Sequence, residues 1–361
     1  MNLSSLTRDV RYAVRMLLRN PGFTTIALLT FAVGIGVNTA VFSVFNGVLL
    51  RPLPYPDADR ITMMWLDNRP QSIKEDIGSY PNYRDWREQN TTYEHVAAFT
   101  GAAFTLTGSE EPERIRGART TANFHDVIGL KPVLGRLYTE AEEQTGSDAV
   151  VLLSHGLWQR RFGGAADVVG KTVVLNGVPH EIIGVMPPEL RVPADAEMWK
   201  PLAVSDAQRN ARGSFWLPVI GRLKPGVSVQ QAQTEMTGIA DRLEKAYPNI
   251  MAGFGANIVP LHRQLVGDVE RSLFVLMAAV GCVLLIACAN LGNLMLGRTA
   301  ARRKELAIRT ALGAQRGRLI RQIVTETFVV ALVGSGLGLL LAFWATEFFI
   351  RVGGDAIPRA R

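Results

Sequence analysis

The sequence predicts a membrane α-helical protein with three transmembrane helices and one large α+β extracytoplasmic domain of two lobes. Three observations carry that expectation. Arg19 is followed by no charged residue until Arg51, Arg271 by none until Arg298, and Glu326 by none until Glu347. A helix needs about 20 apolar residues to cross the hydrocarbon core, and each stretch is long enough. Residues 51–270 hold 23 Lys and Arg against 27 Asp and Glu, the mixed surface of a folded domain, whereas residues 271–361 hold 12 basic and 4 acidic residues. The net charge of +7 therefore sits beside the spans. There it acts as an orientation signal, and it gives no ground for a nucleic-acid partner.

Arg8, Arg11, Arg15 and Arg19 precede the first span, and Arg298, Arg302, Arg303, Lys304, Arg309, Arg316, Arg318 and Arg321 follow the second. By the positive-inside rule both clusters are cytoplasmic. The organisation expected in order is a cytoplasmic amphipathic lead (1–22), span one (23–50), an extracytoplasmic domain (51–270), span two (271–297), a cytoplasmic segment (298–322), span three (323–350) and an extracytoplasmic tail (351–361). In the lead, Leu6, Val10, Val14, Leu17 and Leu18 recur at helical spacing with Arg opposite, the pattern of a helix on an anionic lipid surface. The first apolar run, Phe23 to Leu50, is too long and too far from the N-terminus for a cleaved signal peptide.

The outer domain reads as mixed α and β. A strand is expected over Phe215 to Leu223, then a turn at Lys224-Pro225-Gly226 and a helix capped by Ser228 and Gln231. Val229, Ala232, Met236, Ile239, Ala240 and Leu243 give that helix its period, and Phe254 to Leu261 returns as a strand. Residues 61–106 suggest a second β-α-β unit. Asn176-Gly177 between Val173–Leu175 and Val178–Val185 predicts a hairpin with a type I′ turn. We expect a base lobe from 51–102 and 205–265 and an inserted lobe from 103–204.

Chemistry-bearing motifs are few. Gly164 to Thr172 ends in Gly170-Lys171-Thr172 like a phosphate-binding loop. Its glycines are one residue too far apart, and a strand follows where that loop requires a helix. His95, His125, His155, His180 and His262 show no metal-ligand spacing, and no nucleophile elbow occurs. No cofactor, metal or catalytic residue is expected. Cys282 and Cys288 lie six apart in the second span, too far along one helix for a disulfide. Gly36 and Ala40, then Gly334 and Gly338, are small residues four apart that permit close helix packing. Asn38, Asn290 and Asn293 suit interhelical hydrogen bonds. Between spans two and three, Leu306, Ile308 and Leu312 are interspersed with Arg302, Arg303, Glu305 and Arg309, and Gly313 fits a helix C-cap. Stop-transfer charge alone would not need such helical order.

Several segments together resemble the FtsX-like ABC transporter permeases with a MacB-like periplasmic core domain. They are Leu18-Arg19-Asn20-Pro21-Gly22-Phe23-Thr24, Gly34 to Ala40, Leu50 to Pro56, Leu153-Ser154 through Trp158 to Gly164, Gly184-Val185-Met186-Pro187, Gly221 to Gly226, and Arg303 to Ala314. The subfamily they resemble most is the acidobacterial-type duplicated permeases. The resemblance implies a bacterial inner-membrane permease, homodimeric or pseudo-dimeric, working with a MacB-like ABC ATPase on a partner. It implies that Arg303, Glu305, Leu306, Ile308, Arg309, Leu312 and Gly313 form a coupling helix, and that the outer domain meets a substrate or partner. The family has four spans, so three imply a fragment of a longer chain. An alternative is a membrane-tethered binding or sensing protein without transport.

Overall fold

A computed structural model describes residues 11, 14–107, 111–193, 196–301, 308 and 316–353. They form two compact units. One is Pro52–Leu265, and the other combines Met1–Arg51 with Val266–Arg361. In chain order the elements are α1 (Pro21–Phe45), β1 (Ile61–Asn68), β2 (Ile73–Asp76), α2 (Tyr80–Gln89), β3 (Tyr93–Thr107), β4 (Glu113–Thr120), α3 (Phe124–Ile128), β5 (Leu134–Gly135), β6 (Val150–Leu153), α4 (His155–Phe162), β7 (Thr172–Leu175), β8 (Val178–Val185), β9 (Met198–Pro201), β10 (Val219–Leu223), α5 (Val229–Ala246), β11 (Phe254–Pro260), α6 (Leu261–Ala301) and α7 (Arg316–Gly353).

Among the described residues three helices are long and apolar enough to cross a membrane, over Pro21–Phe45, Glu270–Gly297 and Val324–Ala345. Pro21 opens α1 at a position where its missing N–H costs nothing. After Phe45 the winding loosens to a π-turn over Asn46–Leu50. Helix α6 begins at Leu261, well before its apolar part, so the globular unit ends at Leu265 rather than at the expected 270.

In the globular unit β1 pairs antiparallel with β10 on one side and β11 on the other. β10 in turn pairs antiparallel with β3. The order β11-β1-β10-β3 makes β1-α2-β3 and β10-α5-β11 two split β-α-β units, each with a foreign strand between its own two. Successive side chains of β1 face opposite ways. Met64 and Leu66 join a core under α2 and α5 with Trp86, Met236 and Ile239. Ile61 and Met63 join a second core with Phe124, Ile128 and Trp199.

The start of β10 differs from the sequence expectation. Phe215 to Leu217 do not extend the strand, because Gly78 O accepts from Trp216 N and Leu217 N, and Pro218 supplies no donor. Helix α5 carries its capping box, with Ser228 N donating to Gln231 Oε1 (2.8 Å) and Gln231 N to Ser228 Oγ (3.2 Å). Two further side chains of α5 serve the sheet. The Gln233 amide donates to Ala256 O (2.7 Å) and accepts from Ile258 N (2.8 Å), covering the open edge of β11 as another strand would. Glu235 accepts from the backbone and hydroxyls of Thr91 and Thr92. Burial works to raise its pKa, but these bonds outweigh it and the carboxyl titrates below its ordinary value.

The 15 residues of β3 run past the expected lobe border at 102. Its first part pairs with β10 and its second with β4 and β7. From there the pairing closes on itself as β3-β4-β9-β6-β8-β7 and back to β3. This six-stranded ring encloses Phe104, Ile115, Val151, Leu153, Val173 and Ile182, with Leu157 and Phe162 of α4 packed against them. Closure removes most sheet edges. The hairpin β7-β8 turns on Asn176 (φ 51°) and Gly177 (φ 82°), both left-handed as a type I′ turn requires.

Arg222 of β10 is buried and donates to Val127 O (2.8 Å), Ile128 O (3.0 Å) and Pro56 O (3.0 Å). It thereby caps the C-terminus of α3 and holds the strap at Pro56. Arg222→Met keeps the apolar stem and strips those carbonyls of their donors. It should destabilise the purified chain by about 3 kcal/mol, read as a lowered unfolding midpoint. An unchanged midpoint would show that water replaces the guanidinium.

His125 of α3 is buried among Phe124, Tyr138 and Trp199, with no partner for either ring nitrogen. Burial pushes its pKa down from 6.5 to about 3. The unfolded state then binds more protons, so stability is lost as pH falls from 6.5 towards 3. His125→Phe should reduce the loss between pH 7 and pH 5 by about 2 kcal/mol, measured by denaturant titration at both pH values.

Candidate functional site

The spanning unit is built on small residues. An α-helix that puts Gly or Ala on one face lets a second backbone approach closely, and in lipid such packing replaces the hydrophobic drive. On α1 the buried positions are Ala27, Ala32, Gly34, Gly36, Ala40 and Phe45. A Cβ added at Gly36 would lie 2.9 Å from Gly338 O of α7. One at Gly338 would lie 3.1 Å from both Ala32 O and Ile35 Cβ, and one at Gly334 only 2.5 Å from Phe31 Cβ. The structure thus brings Gly36, Gly334 and Gly338 into one seam between α1 and α7. Ala40 is buried further along α1.

The neighbouring face of α1 meets α6. A Cβ at Gly34 would touch Ala287 Cβ at 3.4 Å. The Asn38 amide donates to Gly34 O (2.7 Å) and to Val280 O of α6 (3.3 Å). Phe45 meets Phe274 edge-on with ring centres 5.3 Å apart. Asn290 and Asn293 do not make the interhelical bonds their type suggests among the described residues. They line an open groove of about 630 Å³ with Phe23, Ile26, Thr30, Leu294 and Gly297.

Leu17 of the lead is buried against Ala27 and Val330, and Thr24 Oγ1 donates to Leu17 O (2.8 Å). Part of the lead's apolar stripe therefore packs on the helices, while Val14 and Leu18 stay exposed. Of the segment between spans two and three, Arg303, Glu305, Leu306, Arg309, Leu312 and Gly313 lie outside the described residues. Ile308 is helical and 62% exposed.

Among the described residues no group of His, Cys, Asp and Glu could hold a metal ion. The stretch before Thr172 is a turn. Gly163, Gly164 and Gly170 have left-handed φ, Lys171 pairs with Asp167 at 2.9 Å, and β7 follows directly. The motif around Trp158 is equally structural. Its indole donates to Ala165 O (2.9 Å) while α4 packs on the ring core.

The glycines give a sharp test of the seam. A Cβ at Gly336 meets nothing within 4 Å, so Gly336→Ala should gain helix propensity by up to about 1 kcal/mol. Gly36→Ala and Gly338→Ala should instead lower the thermal stability of the solubilised protein, despite the same gain. Equal behaviour of all three would dissolve the seam.

With this geometry in view, known proteins place the chain. Residues 24–239 match the MacB-like periplasmic core domain, and residues 277–358 match the FtsX-like permease C-terminal region. The pyoverdine export ATP-binding/permease protein PvdT of Pseudomonas syringae pv. tomato is 24% identical over 58% of this chain and 32% of its own length. The macrolide export ATP-binding/permease protein MacB of Neisseria meningitidis serogroup A is 24% identical over 68% of this chain and 38% of its own. The chain thus spans about a third of the length of the curated relatives it matches. The periplasmic region of MacB from Actinobacillus actinomycetemcomitans covers 59% of this chain and 94% of its own, with 18% identity and a TM-score of 0.43. A core-domain match over more than half of the sequence, joined to the permease match across the last two spans, makes the chain a member of the FtsX/MacB-type permease family.

Proposed function

We propose that this chain is the permease subunit of an ABC-type transporter or mechanotransmission complex, in which an ABC ATPase outside these residues moves the globular unit. The observation that carries the reading is the continuity of α6. It is one unbroken helix from Leu261, buried in a core of the globular unit, to Ala301 beyond the second apolar stretch. Continuous helix resists axial compression because every interior peptide is hydrogen-bonded. A push at its cytoplasmic end is then conveyed along its length. The export proteins among the relatives support the same reading.

In this proposal the N-terminus is cytoplasmic and Pro52–Leu265 is extracytoplasmic, as the basic flanks of the spans favour. The working unit is a homodimer or pseudo-dimer. The outer unit meets a substrate or partner there. Exposed Val14 and Leu18 beside exposed Arg11, Arg15 and Arg19 suit contact with anionic lipid. The segment Arg302 to Gly313 docks on the ATPase, with Leu306, Ile308 or Leu312 as apolar anchors and Arg303, Glu305 and Arg309 around them. Exposed Ile308 is free to take part. Burying one such side chain is worth about 1.5–3 kcal/mol, whereas rim charges mainly tune encounter.

The test is a complex reconstituted in nanodiscs with a MacB-like ATPase. Its ATPase rate should change when the permease is present. Leu312→Asp should abolish that change while insertion and topology survive. Arg309→Glu should weaken the complex by a margin that shrinks as salt rises. Failure of any such ATPase to associate would remove the proposal. Full function with an unrelated basic loop in place of residues 298–322 would favour a tethered binding or sensing protein instead.

A further inference from the structure

The ring holds a buried cluster of charge that packing alone does not require. Lys200 of β9 is 7% exposed and His180 of β8 is 4% exposed. The Lys200 ammonium bonds His180 Nε2 and also reaches Asp148 Oδ2 at 3.3 Å. On the other side of the imidazole, Nδ1 lies 2.8 Å from Val178 O. A carbonyl oxygen has no proton to give, so Nδ1 must carry one and donate it. The neutral ring therefore leaves Nε2 as the acceptor for Lys200. The imidazole can therefore make both of its bonds only while it is neutral.

The three groups come from separate parts of the ring. Asp148 precedes β6, which pairs with β8 on one side and β9 on the other. The cluster thus bridges the two neighbours of β6 across its N-terminal end. β4 adds Arg119, which sits beside Lys200 in the strand register. Strands β6 and β7 bring no charged side chain to it. His180 thus faces two cations and one carboxylate.

We infer that Asp148, His180 and Lys200 form an acid-released clasp that closes one end of the six-stranded ring at neutral pH and opens when His180 takes a proton. The proton binds at Nε2, the atom that accepts from Lys200. The bond is lost, and an imidazolium then stands against an ammonium with Arg119 close by. Burial, followed by Lys200 and Arg119, holds His180 below its ordinary range, with Val178 O and Asp148 opposing. The clasp is therefore fully stable above the ordinary histidine value of 6.5 and loses stability as pH falls from there through the lower value of the closed state. It lets the globular unit respond to the acidity of its surroundings, independently of any ATPase.

Hydrogen exchange of the full-length chain in detergent at pH 7.5 and 5.0 tests this, with rates corrected for intrinsic chemistry. In the wild type, protection of peptides covering residues 146–153 and 178–185 should fall about tenfold or more at the lower pH, the scale of one lost charge-assisted hydrogen bond. Helix α5 serves as the internal control and should hold. His180→Gln keeps an acceptor for Lys200 and a donor for Val178 O but cannot take the proton, so its protection should not change with pH. Lys200→Gln removes one of the two cations facing the imidazolium and leaves Arg119, so its fall in protection should be smaller than the wild type's. An unchanged wild type would overturn the clasp. So would a wild-type-like fall in His180→Gln, or in Lys200→Gln should the first variant not fold.

Discussion

Strand β1 has no free side, and the globular unit follows from that. β10 and β2 share one of its edges, β11 takes the other, and two apolar cores occupy its faces. A strand so enclosed must be apolar almost throughout, and Ile61, Met63, Met64 and Leu66 supply this. The polar exceptions are Thr62, whose hydroxyl bonds the Tyr93 hydroxyl at 3.0 Å, and Asp67 and Asn68 at its end, where the Asn68 amide donates to Asp76 Oδ2 at 2.8 Å. Because β10 and β11 must both reach β1 antiparallel, their connection has to cross over the sheet, and α5 is that crossing. Helix α2 does the same for β1 and β3. The second face is then left for α3 and the ring, and Arg222 joins α3 and the strap at Pro56 to β10 through three carbonyls.

The spanning unit obeys a different constraint. Water drives the globular cores together, but lipid offers no such gain. Helices there cohere through closeness, and closeness needs small residues. The approach of Gly36 to Gly338 is the clearest case, since a single added methyl would meet a backbone oxygen. Asn38 adds a bond from α1 to α6 by reaching a carbonyl rather than a side chain. A helix carbonyl keeps a lone pair for such a bond, so α6 loses nothing internally.

These two constructions suit the proposed permease, whose outer unit would be moved by an ATPase. Close glycine packing lets α1 and α7 act as one body. The globular unit rests on large apolar cores and on a closed ring that resists shear, and an acid-sensitive contact lies at the end of that ring. The permease proposal asks for stiff parts with few joints, and both constructions provide stiffness by different physics.

The spans, the capped helix α5 and the Asn176-Gly177 turn were legible in the sequence because each depends on neighbours within a few residues. Apolar length, capping and left-handed φ are local properties, and they determined where the chain crosses lipid, winds or reverses. The glycine spacing of the third span was legible too, although not the helix it would meet. The closure of six strands into a ring was not legible, since β7 reaching β3 depends on two segments some seventy residues apart. Nor was the role of Arg222, which the sequence places in a strand but whose partners exist only once α3 is placed over it. The meeting of Asp148, His180 and Lys200 lies deepest, for no spacing in the chain announces it. Sequence alone determined the class of protein and its place in the membrane-permease family, because those rest on local pattern. Tertiary structure alone decided which polar groups are buried and what they touch, because burial is a property of the assembled whole.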